Sequence, residues 1–182
     1  MGHYTDVDIT ENFGKTLIVV DMQNDFIDGA LGTPEAQAIV PRVKQKIEEY
    51  RERGYKIVFT QDTHFDDYLD TMEGAKLPVP HCIKDTHGWQ IADGLYVEGE
   101  SVVEKYQFGY PAWDNLIIWS GEMELVGLCT DICVISNALI MKSMTRTREI
   151  TVDASCCAGT TPENHKAALQ VMKSCQINVI GE

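Results

Sequence analysis

The chain has 182 residues, which is long enough for one domain with a sizeable hydrophobic core, and it contains no repeat or low-complexity tract. Its 28 acidic residues outnumber the 15 lysine and arginine residues, and the net charge of −13 disfavours nucleic acids and anionic membrane surfaces as partners. No apolar run approaches the roughly 20 residues that a transmembrane helix needs, and the acidic N-terminus is unlike a signal peptide. We therefore expect a cytoplasmic protein.

The cysteines are expected to be mostly reduced thiols. They lie at positions 82, 129, 133, 156, 157 and 175, without the spacing of a secreted disulfide framework or a Cys-x-x-Cys zinc motif. Residues 1–14 are polar and precede the first apolar run, so we interpret them as a flexible N-terminal arm. Residues 15–182 are interpreted as a single domain.

Strand-like and helix-like segments alternate along this domain. Thr16–Val20 is an unbroken apolar run typical of a strand buried on both faces of a parallel sheet. Further strands are predicted at 55–60, 101–104, 125–128, 149–152 and 177–180, and helices at 41–53, 113–119, from 130 onward and at 161–174. Segments 65–99 and 153–161 are predicted to be loops. The alternation predicts an α/β fold, a three-layer α/β/α domain with a mainly parallel, doubly wound sheet.

One strand-turn-helix segment contains a candidate nucleophile. The apolar run 125–128 breaks at Cys129-Thr130-Asp131 and gives way to a helical pattern. Because Thr130 and Asp131 are good helix caps, Cys133 is expected in the first turn, where the helix dipole favours a thiolate. The alternative is that Cys129 and Cys133 are simply small buried hydrophobic residues.

Polar residues follow several of the predicted strands at the point where each strand ends. Asp21, Asp62 with His64, Lys105 and Cys133 each come after a different strand. In parallel α/β sheets, ligands bind outside the carboxyl ends of the strands, so these side chains are expected along one shared edge.

Three of the polar side chains suit a divalent metal ion. Asp62 and His64 are two residues apart and point the same way on an extended backbone, and His81 comes from the long loop that follows. The chemistry suits Zn²⁺, with Fe²⁺ or Mn²⁺ as alternatives, and Glu73 or Asp70 is available as an additional ligand. The competing interpretation is exposed loop histidines beside a capping aspartate.

Taken in order, these motifs resemble the isochorismatase-like cysteine hydrolases, and within them the nicotinamidases. The resemblance covers residues 15–182 and rests on five motifs: Val-Asp21-Met-Gln-Asn-Asp-Phe, Asp62-Thr-His64, Pro-His81-Cys, the strand-end Lys105 and Cys129-Thr-Asp-Ile-Cys133-Val. It implies a catalytic triad of Asp21, Lys105 and Cys133. It also implies a cis peptide between Leu128 and Cys129, an oxyanion hole made by the backbone N–H groups of Cys129 and Cys133, and metal binding by Asp62, His64 and His81.

The activity implied by this resemblance is that of a metal-dependent cysteine amidohydrolase. Nicotinamide would be converted to nicotinic acid and ammonia through a thioester, by a homo-oligomer whose substrate ring stacks on Phe26, Trp89 or Tyr106. Three alternatives remain open at this point. They are a carbamoyl or ureido amidase, a metal-free vinyl-ether hydrolase, and a non-catalytic binding or assembly module with the same fold.

Overall fold

A computed structural model describes residues 14–114 and 121–182. Its strands are β1 (Thr16–Val20), β2 (Lys56–Asp62), β3 (Ser101–Lys105), β4 (Met123–Leu128), β5 (Ile150–Ala158) and β6 (Asn178–Ile180). Its α-helices in the described ranges are α1 (Asn24–Ile27), α2 (Pro34–Glu52), α3 (Met72–Lys76), α4 (Ile135–Met144) and α5 (Pro162–Ser174). A 3₁₀ turn spans Tyr68–Asp70, and a π-helical turn, Thr130–Val134, leads directly into α4.

The strands form one sheet in the order β3-β2-β1-β4-β5-β6, and every neighbouring pair is parallel. This confirms the predicted α/β class with its doubly wound sheet. The chain runs from β1 towards β3 in one direction and from β4 towards β6 in the other. Such a reversal opens a crevice at the carboxyl ends of the two central strands, here β1 and β4.

Two hydrophobic cores cover the two faces of the sheet. β1 is fully buried and contributes to both, with Ile18 and Val20 on one face and Leu17 and Val19 on the other. The first face packs against α4 and α5, and the second against α1 and α2. This arrangement gives the three layers expected from the unbroken apolar character of the first strand.

Helix α2 is longer than the predicted 41–53 segment. It begins at Pro34, after Thr33, whose side chain accepts a hydrogen bond from the Ala36 backbone N–H at 3.0 Å. Pro34 occupies the first helical turn, where its missing N–H costs nothing, whereas Pro41 lies inside the helix. The prediction began the helix at Pro41 because proline is favoured in the first turn of a helix.

Two further expectations about the C-terminal third are wrong, the second of them in part. The predicted loop 153–161 is largely strand, because β5 continues to Ala158 with small, mostly buried side chains. The apolar residues Ala167, Ala168, Val171 and Met172 of α5 were predicted to face inward. Ala168 and Met172 are buried as predicted, whereas Ala167 and Val171 are exposed and Leu169 is buried instead. The three buried residues are separated by one, three and four positions, so they lie on the one face of the helix that packs on the sheet.

Two predictions fall largely outside the described residues, namely the arm at residues 1–14 and the helix at 113–119. Within the described ranges, no helix is long and apolar enough to cross a membrane.

Candidate active site

Asp21 is held at the carboxyl end of β1 by the neighbouring strand. It is fully buried and adopts a left-handed backbone conformation (φ 46°), which aspartate tolerates better than most residues. Its backbone N–H donates to Thr60 Oγ1 at 3.1 Å, and the Thr60 hydroxyl donates to Asp21 Oδ1 at 2.5 Å. Thr60 of β2 therefore fixes both the backbone and one carboxylate oxygen of Asp21.

Lys105 is the centre of the polar cluster. It is the last residue of β3, and the sheet register pairs it with Asp62 of β2. Its buried Nζ lies 2.7 Å from Asp21 Oδ2, 2.9 Å from Asp62 Oδ1 and 3.5 Å from Cys133 Sγ. One ammonium group thus contacts two carboxylates and the candidate nucleophile.

Burial determines the resting protonation of this cluster. Burial alone would lower the pKa of Lys105, but Asp21, Cys133 and Asp62 raise it well above its ordinary value, so Lys105 stays charged. Burial raises the pKa of Cys133 well above its ordinary value, and it also raises the pKa of Asp21. Cys133 therefore rests as a thiol, in contrast to the thiolate expected from its position at a helix start.

Asp21 is placed to accept the thiol proton. Its Oδ2 atom lies 2.7 Å from Lys105 Nζ. A side-chain hydrogen bond with Asp21 is also among the interactions that raise the pKa of Cys133, so the carboxylate and the thiol are in contact.

Side chains of the turn that carries Cys133 form hydrogen bonds with α5 and with Thr160, which precedes α5. They do not cap the turn itself. The Thr130 hydroxyl lies 2.8 Å from His165 Nδ1, and the Asp131 carboxylate accepts from the Thr160 N–H at 2.8 Å and from the Thr160 hydroxyl at 2.5 Å. The prediction that Thr130 and Asp131 cap the helix is wrong, because both side chains are engaged with the neighbouring segment.

Cys129 occupies the residue before the π-helical turn. The Leu128–Cys129 peptide bond is cis, as the resemblance implied. The Cys129 carbonyl accepts from the backbone N–H groups of Ile132 (3.0 Å) and Val134 (3.1 Å). The side chains of Cys129 and Cys133 line the same cavity.

Four side chains beside this cluster could hold a metal ion. One ligand atom from each of Asp62, His64, Glu73 and His81 lies within 4.8 Å of the others. His64 Nε2 is 3.0 Å from Asp62 Oδ2, and Glu73 Oε1 lies 3.7 Å from His64 Nε2 and 3.8 Å from His81 Nε2. Glu73 therefore joins the predicted set, whereas Asp70 is exposed and lies outside it.

The donor set fits a divalent cation. His81 Nδ1 lies 2.8 Å from the Val79 carbonyl, which can only accept, so Nδ1 carries the hydrogen. The lone pair on His81 Nε2 then faces the oxygens of Asp62 and Glu73, each 3.8 Å away. A cation between these groups would stabilise acceptors that face one another, and two imidazoles with two carboxylates are a common set for zinc, iron or manganese.

A cavity of about 470 Å³ connects the nucleophile with the metal-binding group. Phe26 lines it, and its ring centroid lies 5.5 Å from that of His81, so Phe26 is placed to contact a substrate ring. The lining residues are Phe26, Leu31, Asp62, Met72, Glu73, Lys76, Leu77, His81, Gln107, Phe108, Cys129, Ile132 and Cys133.

Trp89 and Tyr106 are not among these lining residues, so the structure does not bring them to the cavity with Phe26. Trp89 Nε1 donates to Thr63 Oγ1 at 2.9 Å, and its ring packs against the core between the sheet and α1 and α2. Tyr106 is exposed and stacks on Phe65 at 5.9 Å. Phe108, two residues after Tyr106, lines the cavity together with Phe26.

Asn137 is a buried residue to which the sequence analysis assigned no role. Its Oδ1 accepts from the Tyr110 N–H (2.9 Å) and from Trp113 Nε1 (2.8 Å), and its Nδ2 donates to the carbonyls of Cys133 (2.8 Å) and Phe108 (3.3 Å). Asn137 therefore connects the nucleophile turn to the segment that follows β3. An amide at an inward position of an apolar helix was the signal that could have identified it.

Replacing Asn137 with leucine is expected to lower the free energy of unfolding by about 2–6 kcal/mol, because two buried partners, Trp113 Nε1 and the Cys133 carbonyl, lose hydrogen bonds that cost about 1–3 kcal/mol each when left unmade. Urea unfolding followed by circular dichroism measures the change. Asn164→Leu is the matched control, because Asn164 is exposed and its side chain makes one hydrogen bond, to Thr160. Equal losses in the two variants would contradict the assigned role.

Comparison with known proteins identifies the family. The Isochorismatase domain family matches residues 15–181. A nicotinamidase of Saccharomyces cerevisiae is 24% identical over 91% of this chain and 99% of its own length. An Arabidopsis thaliana protein named as a probable inactive nicotinamidase is 30% identical over 87% of each chain.

Solved structures agree with this assignment. The pyrazinamidase of Pyrococcus horikoshii, solved in complex with zinc, has a TM-score of 0.77 and 27% identity over 92% of this chain and 99% of its own. The N-carbamoylsarcosine amidase of Thermoplasma acidophilum has a TM-score of 0.75 and 28% identity over 91% and 95% of the two chains. The chain belongs to the isochorismatase family of hydrolases, in its nicotinamidase branch.

Proposed function

We propose that the protein is a metal-dependent cysteine amidohydrolase that converts nicotinamide to nicotinic acid and ammonia, as a step of NAD salvage. The observation that carries this proposal is the contact of Lys105 with Asp21, Cys133 and Asp62. Through Asp62, that contact joins a nucleophile and its base to a metal-binding group in one cavity. We further propose that residues 15–182 act as one domain, in a cytoplasmic homo-oligomer.

The first chemical step is acylation of Cys133. Asp21 takes the thiol proton as the sulfur attacks the amide carbonyl, and the Lys105 ammonium stabilises the thiolate that forms. The carbonyl oxygen acquires negative charge and accepts hydrogen bonds from the backbone N–H groups of Cys129 and Cys133. Removing one such donor in a serine hydrolase costs roughly 2.7–4 kcal/mol of transition-state stabilisation.

The second step releases ammonia and then the acid. Asp21, protonated by the first step, delivers its proton to the departing nitrogen while the carbon–nitrogen bond breaks and the thioester remains on Cys133. Asp21 is again a carboxylate and takes a proton from water, whose oxygen attacks the thioester. The carbon–sulfur bond breaks, nicotinic acid leaves, and Asp21 returns its proton to the sulfur.

Asp62, His64, His81 and Glu73 are the residues that would hold the metal, Zn²⁺ first and Fe²⁺ or Mn²⁺ as alternatives. A bound ion supplies a Lewis-acidic position for the pyridine nitrogen of the substrate, directly or through water. Phe26 packs beside His81 and restricts where the ring can lie. A ring that is fixed at its nitrogen and packed against Phe26 keeps its carboxamide near the sulfur of Cys133.

A second amide class has a specific basis in the comparisons. The Thermoplasma acidophilum structure is an N-carbamoylsarcosine amidase, and the same nucleophile, base and oxyanion donors would serve a carbamoyl substrate. The metal-free vinyl-ether hydrolase is disfavoured by the four-residue metal-binding group, three members of which are buried. A non-catalytic module is disfavoured by the direct contacts of Lys105 with Asp21 and Cys133.

The proposed function is tested by measuring ammonia release from nicotinamide and from N-carbamoylsarcosine. The purified protein is assayed as isolated, after chelation, and after addition of Zn²⁺, Fe²⁺ or Mn²⁺. Release from nicotinamide that falls with chelation and returns with metal is expected. Release from the carbamoyl compound alone would assign the second class, and release from neither compound under any condition would contradict the proposal.

Replacing His81 with alanine is expected to reduce bound metal from about one equivalent to below about a tenth, because a ligand whose second nitrogen is fixed by Val79 is lost. Inductively coupled plasma mass spectrometry of the protein after dialysis against Zn²⁺ measures the content. The control is His87→Ala, which alters a histidine of the same loop that lies outside the metal-binding group. Full occupancy in His81→Ala would show that His81 is not a ligand.

A further inference from the structure

The cavity is larger than the proposed substrate requires. Nicotinamide is a single ring with one carboxamide, whereas cavities of about 300–1,000 Å³ typically enclose ligands of drug size. The volume here is about 470 Å³. A nicotinamide held between the sulfur of Cys133 and the metal-binding group would leave part of this space unfilled.

The remaining space is bounded mainly by apolar side chains. Leu31, Leu77, Phe108 and Ile132 come from four separate segments of the chain and line the cavity. Among the lining residues in the described part of the chain, and outside the catalytic and metal-binding groups, only Lys76 and Gln107 carry polar side-chain groups. A substituent that extends from the ring would meet mostly hydrocarbon.

Three of the apolar side chains that line the cavity are exposed to solvent. Leu77 is 38% exposed, Phe108 is 46% exposed and Met72 is 76% exposed, and all three line the one cavity. Single exposed apolar residues are common on protein surfaces, but a contiguous apolar group beside a polar reaction centre is typical of a ligand-binding groove.

We propose that the preferred substrates are aromatic primary amides of the pyridine-3-carboxamide type that carry an apolar substituent on the ring. Leu31, Leu77 and Phe108 are the residues that bind the substituent and determine this specificity. The inference rests on the proposed function, because the ring must be placed by the nucleophile and the metal-binding group. Burying one methylene group of the substituent against these apolar side chains lowers the Kd by about four-fold.

The test compares kcat/KM of the holoenzyme for nicotinamide with that for nicotinamides carrying a propyl group at each free ring carbon. For at least one position, kcat/KM is expected to rise roughly 10- to 60-fold. In Leu77→Asn, this ratio of propyl compound to nicotinamide is expected to fall about ten-fold. Leu69→Asn is the control, because Leu69 is exposed nearby but does not line the cavity; its ratio is expected to match the wild type.

Binding is measured separately from turnover. Isothermal calorimetry with Cys133→Ala, which does not consume the amide, is expected to give a lower Kd for the same propyl compound than for nicotinamide, by a similar factor.

Equal or lower kcat/KM for every propyl compound would overturn the inference while leaving nicotinamide hydrolysis intact. If the same result is accompanied by self-association in sedimentation experiments, the exposed apolar residues Leu77, Phe108 and Met72 would instead be assigned to contact with a second copy of the chain. Tighter binding of a propyl compound without ammonia release from any amide would instead refute the proposed function.

Discussion

Replacing Cys133 with alanine is expected to lower kcat for amide hydrolysis by roughly 10⁴- to 10⁶-fold, the range seen when a covalent nucleophile is removed. The sulfur is the atom that would form the thioester, and the described residues place no other thiol in contact with Lys105. The fold should persist, because the ion pairs of Lys105 with Asp21 and Asp62 do not depend on the sulfur.

Steady-state kinetics and urea unfolding of Cys133→Ala measure both effects. Cys129→Ala is the matched control, because it removes a thiol from the same turn while the proposed role of Cys129 involves only its backbone N–H. We expect Cys129→Ala to keep most of its activity. If Cys133→Ala retained a substantial fraction of wild-type kcat, or if Cys129→Ala were the inactive variant, Cys133 would not be the nucleophile.

Replacing Lys105 with methionine is expected to cost about 3–5 kcal/mol of stability, the typical loss when one member of a buried ion pair is removed. Two buried carboxylates, those of Asp21 and Asp62, would lose their shared counter-charge. Their mutual repulsion would raise the pKa of one of them. Activity should fall at least about 100-fold, because the thiolate formed on Cys133 would also lose its stabilising charge.

Urea unfolding and kinetics of Lys105→Met are compared with those of Lys84→Met. Lys84 forms an ion pair with Glu104 in which both side chains are about one-third exposed, so its loss should leave stability and activity nearly unchanged. A stability close to wild type in Lys105→Met would mean that the buried cluster does not depend on its ammonium group. Near-normal activity would remove Lys105 from the proposed mechanism.

The sequence predicted the fold well because its strongest signals are local. The apolar run Thr16–Val20 predicted a strand buried on both faces, and β1 has these bounds. The alternation of strands and helices, together with the rule that parallel strands present ligands at their carboxyl ends, placed Asp21, Asp62, Lys105 and Cys133 on one edge.

The way these side chains divide their contacts could not be predicted, because it depends on strand register. Asp62 was expected only as a metal ligand. Pairing of Asp62 with Lys105 in the sheet directs one carboxylate oxygen to Lys105 and the other to His64. A shift of one residue would point these side chains to opposite faces, and no local pattern in the sequence determines that register.

The long segment 65–99 and the residues after β3 were the least predictable part of the site. Trp89 and Tyr106 have side chains that can stack on a ring. In the structure, however, Trp89 donates a hydrogen bond to Thr63 and Tyr106 stacks on Phe65. Phe108 reaches the cavity because Asn137 binds its backbone carbonyl from α4. Such a contact joins residues 29 positions apart and leaves no short-range signal.

The central claim is that hydrolysis passes through an acyl group on Cys133, and hydroxylamine partitioning tests it most directly. The holoenzyme is supplied with nicotinamide or with methyl nicotinate in the presence of hydroxylamine, and the ratio of nicotinic acid to the hydroxamate is measured for each. A shared thioester predicts the same ratio from both substrates, because the leaving group has departed before water and hydroxylamine compete. Ratios that differ between the amide and the ester would contradict the thioester route.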